Sequence, residues 1–241
     1  MFAEVPVPVS KEELTFPVGE IEPMLCGPAS QLPAFEPAMI KVKSGKTMVI
    51  RALRKDEAPQ LLESLKSLLD NPKDFYDIVG VRVYAEVLGW LRNRLKDSYQ
   101  FIGVVDGQLA GFCNGRYFNN DIHISLHSMA YMRGVRAGAS MYYAKAQYAF
   151  DVLGAKEWWS TFESYNGWMR WGLGMAQPSY PWPDVQHELG GAKVFYITKD
   201  YWESTVRDYV KQVVGSEIVR PVPADILKSA ETISFPSTIE I

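Results

Sequence analysis

Cysteine is scarce in this chain: Cys26 and Cys113 are the only two in 241 residues. Two thiols cannot build a disulfide framework, and they form no metal-ligand spacing. An excess of one charge is also lacking. The 25 Lys and Arg against 28 Asp and Glu leave a net charge of −3 and a pI of about 5.7. Bulk electrostatics therefore gives no pull toward nucleic acid or an anionic membrane. No uninterrupted apolar run is long enough to span a bilayer. The first ten residues are rich in Pro and Val, without the basic start and apolar core of a signal peptide. No repeat of solenoid length is evident. These absences argue against a disulfide-stapled scaffold, a membrane span and a repeat array. The expectation is a soluble protein in a reducing, cytoplasmic compartment.

What is present is a core. Hydrophobic residues make up 47% of the chain and aromatics 13%, the composition of one globular domain with appendages. Proline marks the appendages. Pro6, Pro8, Pro17, Pro23, Pro28, Pro33 and Pro37 crowd the start, and Pro221, Pro223 and Pro236 punctuate the end. Proline fixes φ and removes a donor, so neither stretch reads as regular helix or central strand. The expected organisation is a Pro-rich extended arm over 1–45, a folded domain over 46–201, and a terminal helix with an extended tail over 202–241.

The middle has a readable order. Residues 47–54 alternate as a strand. Asp56 reads as the cap of a helix with Pro59 in its first turn and Leu61, Leu62, Leu65, Leu68 and Leu69 on one face. Asn71-Pro72 stops it. A second helix is expected over 81–96. The runs 99–105 and 108–114 flank Asp106-Gly107, a strong hairpin signal because both turn positions need positive φ. A strand over 122–132, a helix over 140–153, a strand over 156–162, a short helix over 166–175 and a strand over 192–198 follow. Asp200 and Glu203 resemble a capping box for the terminal helix.

Between the strand over 122–132 and the next helix lies Arg133-Gly134-Val135-Arg136-Ala137-Gly138-Ala139. Small residues at a strand-to-helix turn leave the helix's first N–H groups unpaired, at the positive end of its dipole. Two arginines add forked donors that suit phosphate oxygens. A solvated turn is the plainer reading of the same residues.

Three features together resemble the GNAT-type N-acetyltransferases. They are the hairpin Phe101-Ile102-Gly103-Val104-Val105-Asp106-Gly107-Gln108-Leu109-Ala110-Gly111-Phe112, the 133–139 loop, and Asn166 with Gly174-Met175 downstream. The resemblance covers roughly 47–201. It implies an α/β (α+β) fold with a mixed, mostly antiparallel central sheet flanked by helices, here carrying extended terminal arms. It implies acetyl-CoA as acyl donor, with its pyrophosphate on Arg133, Gly134, Val135, Arg136, Ala137, Gly138 and Ala139. The backbone of the preceding strand, at Leu126, Ser128 and Met129, and Asn166 complete the implied donor site. Two departures stand out. Arg136 occupies the place of the family's first loop glycine, where it either adds a phosphate contact or crowds the site. The family's thiolate-protonating tyrosine has no aligned counterpart, and Tyr165 is the nearest tyrosine.

Acyl transfer to an amine needs a polarised carbonyl and a base. On the strand before the loop, His123 and His127 share a face with Ser125 under strict alternation, and Glu163 follows on the next strand. Histidine suits base work because it titrates near neutral pH. Ordinary sheet histidines, a Glu163–lysine pair and a helix-capping Asn166 are the plainer readings. The aromatics Trp158, Trp159, Trp168, Trp171, Tyr180 and Trp182 read as core, or as an acceptor pocket for apolar substrates. The expected function is an acetyl-CoA-dependent N-acyltransferase with an unidentified amine acceptor. The alternative is a GNAT-like scaffold whose arms hold a second copy or other subunits of an assembly. No metal, membrane or nucleic acid is called for.

Overall fold

The computed structural model describes residues 32–73, 76–162, 164–175 and 194–239. Eight strands form one sheet, in the order β7-β6-β5-β4-β3-β2-β1-β8. They are β1 (Ala38–Lys41), β2 (Thr47–Ala52), β3 (Ser98–Val105), β4 (Gln108–Tyr117), β5 (Ile122–Ala130), β6 (Glu157–Ser160), β7 (Phe195–Thr198) and β8 (Ile218–Val219). Only β5 and β6 pair in parallel; every other pair is antiparallel. Asp106 and Gly107 both take positive φ, 50° and 71°, as the β3–β4 turn requires.

Helices cover both faces. On one face lie α1 (Ala58–Leu65) and α2 (Tyr76–Leu91), packed on Val49, Ile102, Val104, Phe112 and Met129. On the other lies α3 (Ala137–Gln147), which continues into a π turn over Tyr148–Val152. A short α4 (Tyr165–Gly167) runs into a π turn over Trp168–Leu173. The terminal helix, α5, is built from Lys199–Tyr201, a π turn over Trp202–Val206, and Arg207–Val214. It brings Trp202, Val206, Val210 and Val214 into the core with Tyr143 and Phe150, and Trp202 stacks on Phe150 at 5.3 Å. A last helix, α6 (Ala224–Ser229), follows β8.

Helix starts differ from the sequence expectation. Helix α1 has Glu57 rather than Asp56 at its N-cap. The Glu57 carboxylate is held by a buried, two-pronged bond from Arg51, at 2.6 and 2.8 Å. Thr198, not Asp200, caps α5 by accepting from the Tyr201 N–H at 3.2 Å. Helix α2 begins at Tyr76, five residues before its expected start.

The flanks also depart from expectation. Residues 1–31 lie outside the described residues. Beyond them, Phe35 packs on Phe101 with ring centroids 4.0 Å apart, and β1 joins the sheet directly after Pro37. The C-terminal stretch is committed to its own chain. Ala230 is buried, and its carbonyl accepts from Arg51 Nε at 2.9 Å. Ser234 exchanges backbone bonds with Gly107 and Leu109 at the hairpin, and the Ile239 N–H reaches Ser67 Oγ at 3.1 Å. The sheet runs past both expected boundaries of the folded domain.

Candidate active site

Strand β5 changes character halfway along. From Ile122 to Ser125 it pairs with β4 on one side and β6 on the other, ending at Ser125 opposite Ser160. From Leu126 to Ala130 it keeps β4, and no strand among the described residues pairs with its other edge. A groove of about 380 Å³ opens there. Leu126, His127, Ser128, Met129 and Ala130 line one wall, and Thr161, Phe162, Ser164 and Gly167 line the other. Tyr142 and Trp171, stacked at 4.2 Å and nearly parallel, are also among its walls.

At one end the groove meets the start of α3, where Arg133 and Gly138 line it. The first N–H groups of α3, on Ala137, Gly138 and Ala139, have no intrahelical partner, and no side chain caps them. The first turn carries no acidic residue. This end is suited to an anion. Gly134 takes φ +76°, and a side chain built there would meet nothing within 4 Å.

Arg136 is held within the chain. It is the N-cap of α3 and adopts the left-handed conformation, φ 61° and ψ 29°. A β-carbon makes that conformation cost roughly 1–2 kcal/mol. Its guanidinium is turned to the far helix: Nη1 donates to the Val213 carbonyl at 2.6 Å, at the C-terminal end of α5. A cation there also faces the negative end of the helix dipole. The side chain ties the loop to α5.

The two histidines part company because β5 carries a bulge. Cys113 pairs with Ser128 and Gly115 with Ser125, so Leu126 and His127 together oppose the single residue Asn114. Cross-strand partners share a face, so Ser125 and Ser128 lie on one face although three residues apart. Strict alternation fails at this point, and His123 and His127 end on opposite faces.

A bulge takes backbone groups off the ladder, and buried groups must find other partners. The His127 N–H donates to Asn114 Oδ1 at 2.9 Å, and the His127 carbonyl accepts from Lys145 Nζ at 2.8 Å. Asn114 and Lys145 are both fully buried. Burial lowers the Lys145 ammonium to about 8, against the raising effect of Cys113 and Glu86. The His127 amide is therefore engaged.

The His127 ring faces α2. Its Nε2 lies 3.2 Å from Glu86 Oε1, while Asn114 Nδ2 donates to Glu86 Oε2 at 2.6 Å. Burial pushes the Glu86 carboxyl up. The His127 charge and hydrogen bond, the Asn114 hydrogen bond and the Lys145 charge outweigh it and hold the group below its usual value. Glu86, Asn114 and Lys145 escaped the sequence reading. Each is a single polar residue in an apolar pattern, and only the bulge gives them a common purpose.

The other expected residues fall as follows. His123 is fully buried against Tyr117, with ring centroids 3.9 Å apart and neither ring nitrogen hydrogen-bonded. Burial lowers its pKa to about 4. It is a core residue, away from the groove, and this corrects its expected place beside His127. Tyr165 is 66% exposed and does not line the groove. Asn166 lies within α4, whose cap is Ser164: its Oγ accepts from the Gly167 N–H at 3.1 Å. Glu163, Tyr180 and Trp182 fall outside the described residues. Trp158 and Trp159 are buried. The Cys113 thiol, pushed up to about 12 by burial, donates to the Met141 carbonyl. Among the described residues no cluster of His, Cys, Asp or Glu fits a metal ion, and no helix is long and apolar enough to cross a membrane.

No protein-family model and no curated protein sequence matches the chain. Solved structures do match in fold. An uncharacterised protein from Bacillus halodurans superposes with a TM-score of 0.52 at 11% identity, over 75% of this chain and 99% of that one. RimJ of Mycobacterium smegmatis, solved with CoA-disulfide, gives 0.52 at 9% identity, over 76% and 97%. The GNAT domain of S. lividans PAT gives 0.50 at 12% identity, over 70% and 99%. The chain shares the fold of these structures, the GNAT domain among them: a mixed, mostly antiparallel sheet flanked by helices.

Proposed function

We propose that the chain is an acyl-CoA-dependent N-acyltransferase that moves an acetyl group from acetyl-CoA to an amine by direct attack. One observation carries this reading. The groove follows the edge of β5 that β6 leaves free from the open start of α3 past His127, whose ring nitrogen lies 3.2 Å from Glu86 behind it. A donor with an anionic end and a long, thin arm fits that path. Arg133 and the N–H groups of Ala137, Gly138 and Ala139 would hold the pyrophosphate. The backbone edge at Leu126, Ser128 and Met129 would hold the arm and supply N–H donors to the carbonyl oxygen.

When bound, acyl-CoA supplies a thioester carbonyl. The rest belongs to the chain. His127 accepts the proton that the amine nitrogen loses as the new N–C bond forms and the C–S bond breaks. Glu86 fixes the ring's orientation through its contact with Nε2. The same proton can then pass to the departing sulfur. Asn114 and Lys145 are positioning residues, because they hold His127 only through its backbone.

Calorimetric titration of the purified chain with CoA and acetyl-CoA tests the reading. Micromolar binding that Arg133→Ala weakens, together with amine-dependent release of the CoA thiol, is the expected result. A folded chain that binds neither compound at millimolar concentration would overturn it.

A further inference from the structure

A second cavity, of about 280 Å³, opens against α2 on the far side of Leu126. Leu126 is common to its wall and to the wall of the groove. Its charged lining is lopsided: Arg82, Arg94 and Arg116 against one acid, Glu86. Three guanidinium groups come from three places in the fold: α2, the segment after it, and β4. In a chain of net charge −3 this is a local concentration of positive charge. A concave site with low-dielectric walls focuses such a field. All three side chains make contacts within the chain, and the Arg116 Nε–H points to the Tyr117 carbonyl at 3.4 Å. A guanidinium carries five N–H donors in a planar fork and can serve more than one acceptor.

The single acid lies where the chemistry would need it. Glu86 lines the cavity and also faces His127 Nε2. A ligand's ammonium group would be drawn to Glu86, and its proton would be within the province of His127. The opposite end of the ligand would meet the arginines.

We propose that this cavity is the acceptor site and that the acceptor is a small anionic amine, one that carries an oxyanion as well as the primary amine to be acylated. Its anionic end lies against Arg82, Arg94 and Arg116, and its amine points past Leu126 toward His127. Carboxylate and phosphate offer the same oxygens to a guanidinium fork. The volume suits a compound of amino-acid size. This inference rests on the acyltransferase reading above and adds the substrate class to it.

The test uses the full chain, acetyl-CoA and four amines: aspartate, phosphoethanolamine, a neutral amine of similar size, and spermidine. Release of the CoA thiol is followed, and binding of each amine to the CoA-loaded chain is measured by calorimetry. Faster turnover with aspartate or phosphoethanolamine, by about tenfold or more in kcat/KM over the other two, is the expected result. Which of the pair is preferred identifies the oxyanion as carboxylate or phosphate. Arg94 is exposed, so Arg94→Glu tests the charge without disturbing the core. It should raise KM for the anionic amine at least tenfold, shift preference toward spermidine and leave CoA affinity unchanged. Equal or better turnover of the neutral amine or spermidine by the wild-type chain overturns the inference. So does the absence of any millimolar binding of the two anionic amines to a chain that binds CoA. A chain that does not bind CoA fails the acyltransferase reading instead, a result the calorimetry reports separately.

Discussion

Between Ile122 and Ser125, β5 is paired along both edges; between Leu126 and Ala130 it is paired along one. The two halves have similar residues, a histidine and a serine in each, and opposite surroundings. In the closed half His123 is fully buried, without a hydrogen-bond partner, and held neutral by burial. In the open half His127 faces a carboxylate, and its own amide and carbonyl are held by two buried side chains. Residue type did not decide which histidine lines the groove. The end of one strand pairing and a one-residue bulge did.

The largest expected effect comes from removing the open-half histidine. His127→Ala should lower the rate of acyl transfer by about 10²–10⁴-fold, the usual range for a positioned base. CoA affinity measured by calorimetry should stay within a few-fold of wild type. A rate unchanged within threefold would erase the functional difference between the two halves.

The bulge itself comes next. Asn114→Ala removes the acceptor of the His127 N–H and a donor to Glu86. Stranding buried polar groups costs about 1–3 kcal/mol, and urea denaturation should show a loss of that size. Transfer rate should fall with it, because His127 loses its anchor. A variant as stable and as active as wild type would mean that the bulge does not need Asn114.

His123 supplies a pH test of the closed half. Its folded pKa of about 4 lies below the ordinary 6.5. Between those values the unfolded chain binds a proton that the folded chain does not. Its contribution therefore makes stability fall as pH drops from about 6.5 toward 4, with no effect above that window. His123→Phe should flatten that part of the stability–pH curve, measured by denaturation at a series of pH values. Transfer at pH 7.5 should change by less than about threefold, since surface-remote core changes act mainly on stability. A flat wild-type curve over that window would contradict the burial assigned to His123.

The smallest effect is expected at Arg136. Arg136→Gly relieves the left-handed backbone but gives up the bond to the Val213 carbonyl, two terms of about 1 kcal/mol each and of opposite sign. Net stability should move little, and CoA affinity should stay within about twofold. A tenfold loss of CoA affinity would place the Arg136 guanidinium on the ligand rather than on α5.

The parts of the fold legible in the sequence were those with local chemistry. Asp106-Gly107 announces its own turn, and the small-residue run before α3 announces a helix start facing a strand end. The order of helices and strands around them was enough to suggest the sheet. The parts that were not legible depend on distant partners. Nothing near His127 marks a bulge, since its two orphaned backbone groups are satisfied by Asn114 on the next strand and Lys145 on a helix. Glu86 looks like one polar position of an amphipathic helix until the bulge turns His127 toward it. Strands β1 and β8 are short and border prolines, so local pattern argued against them, while the pairing of β1 with β2 on one side and β8 on the other supplies the missing reason. The side-chain position of Arg136 was not legible for a related cause: its hydrogen-bond partner lies 77 residues away.

The most direct test of the difference between the halves is amide chemical-shift mapping of the full chain during a CoA titration. Large shifts are expected at Leu126, Ser128, Met129, Ala137, Gly138 and Ala139, with little change from Ile122 to Ile124. Shifts confined to the closed half, or none at millimolar CoA, would contradict it.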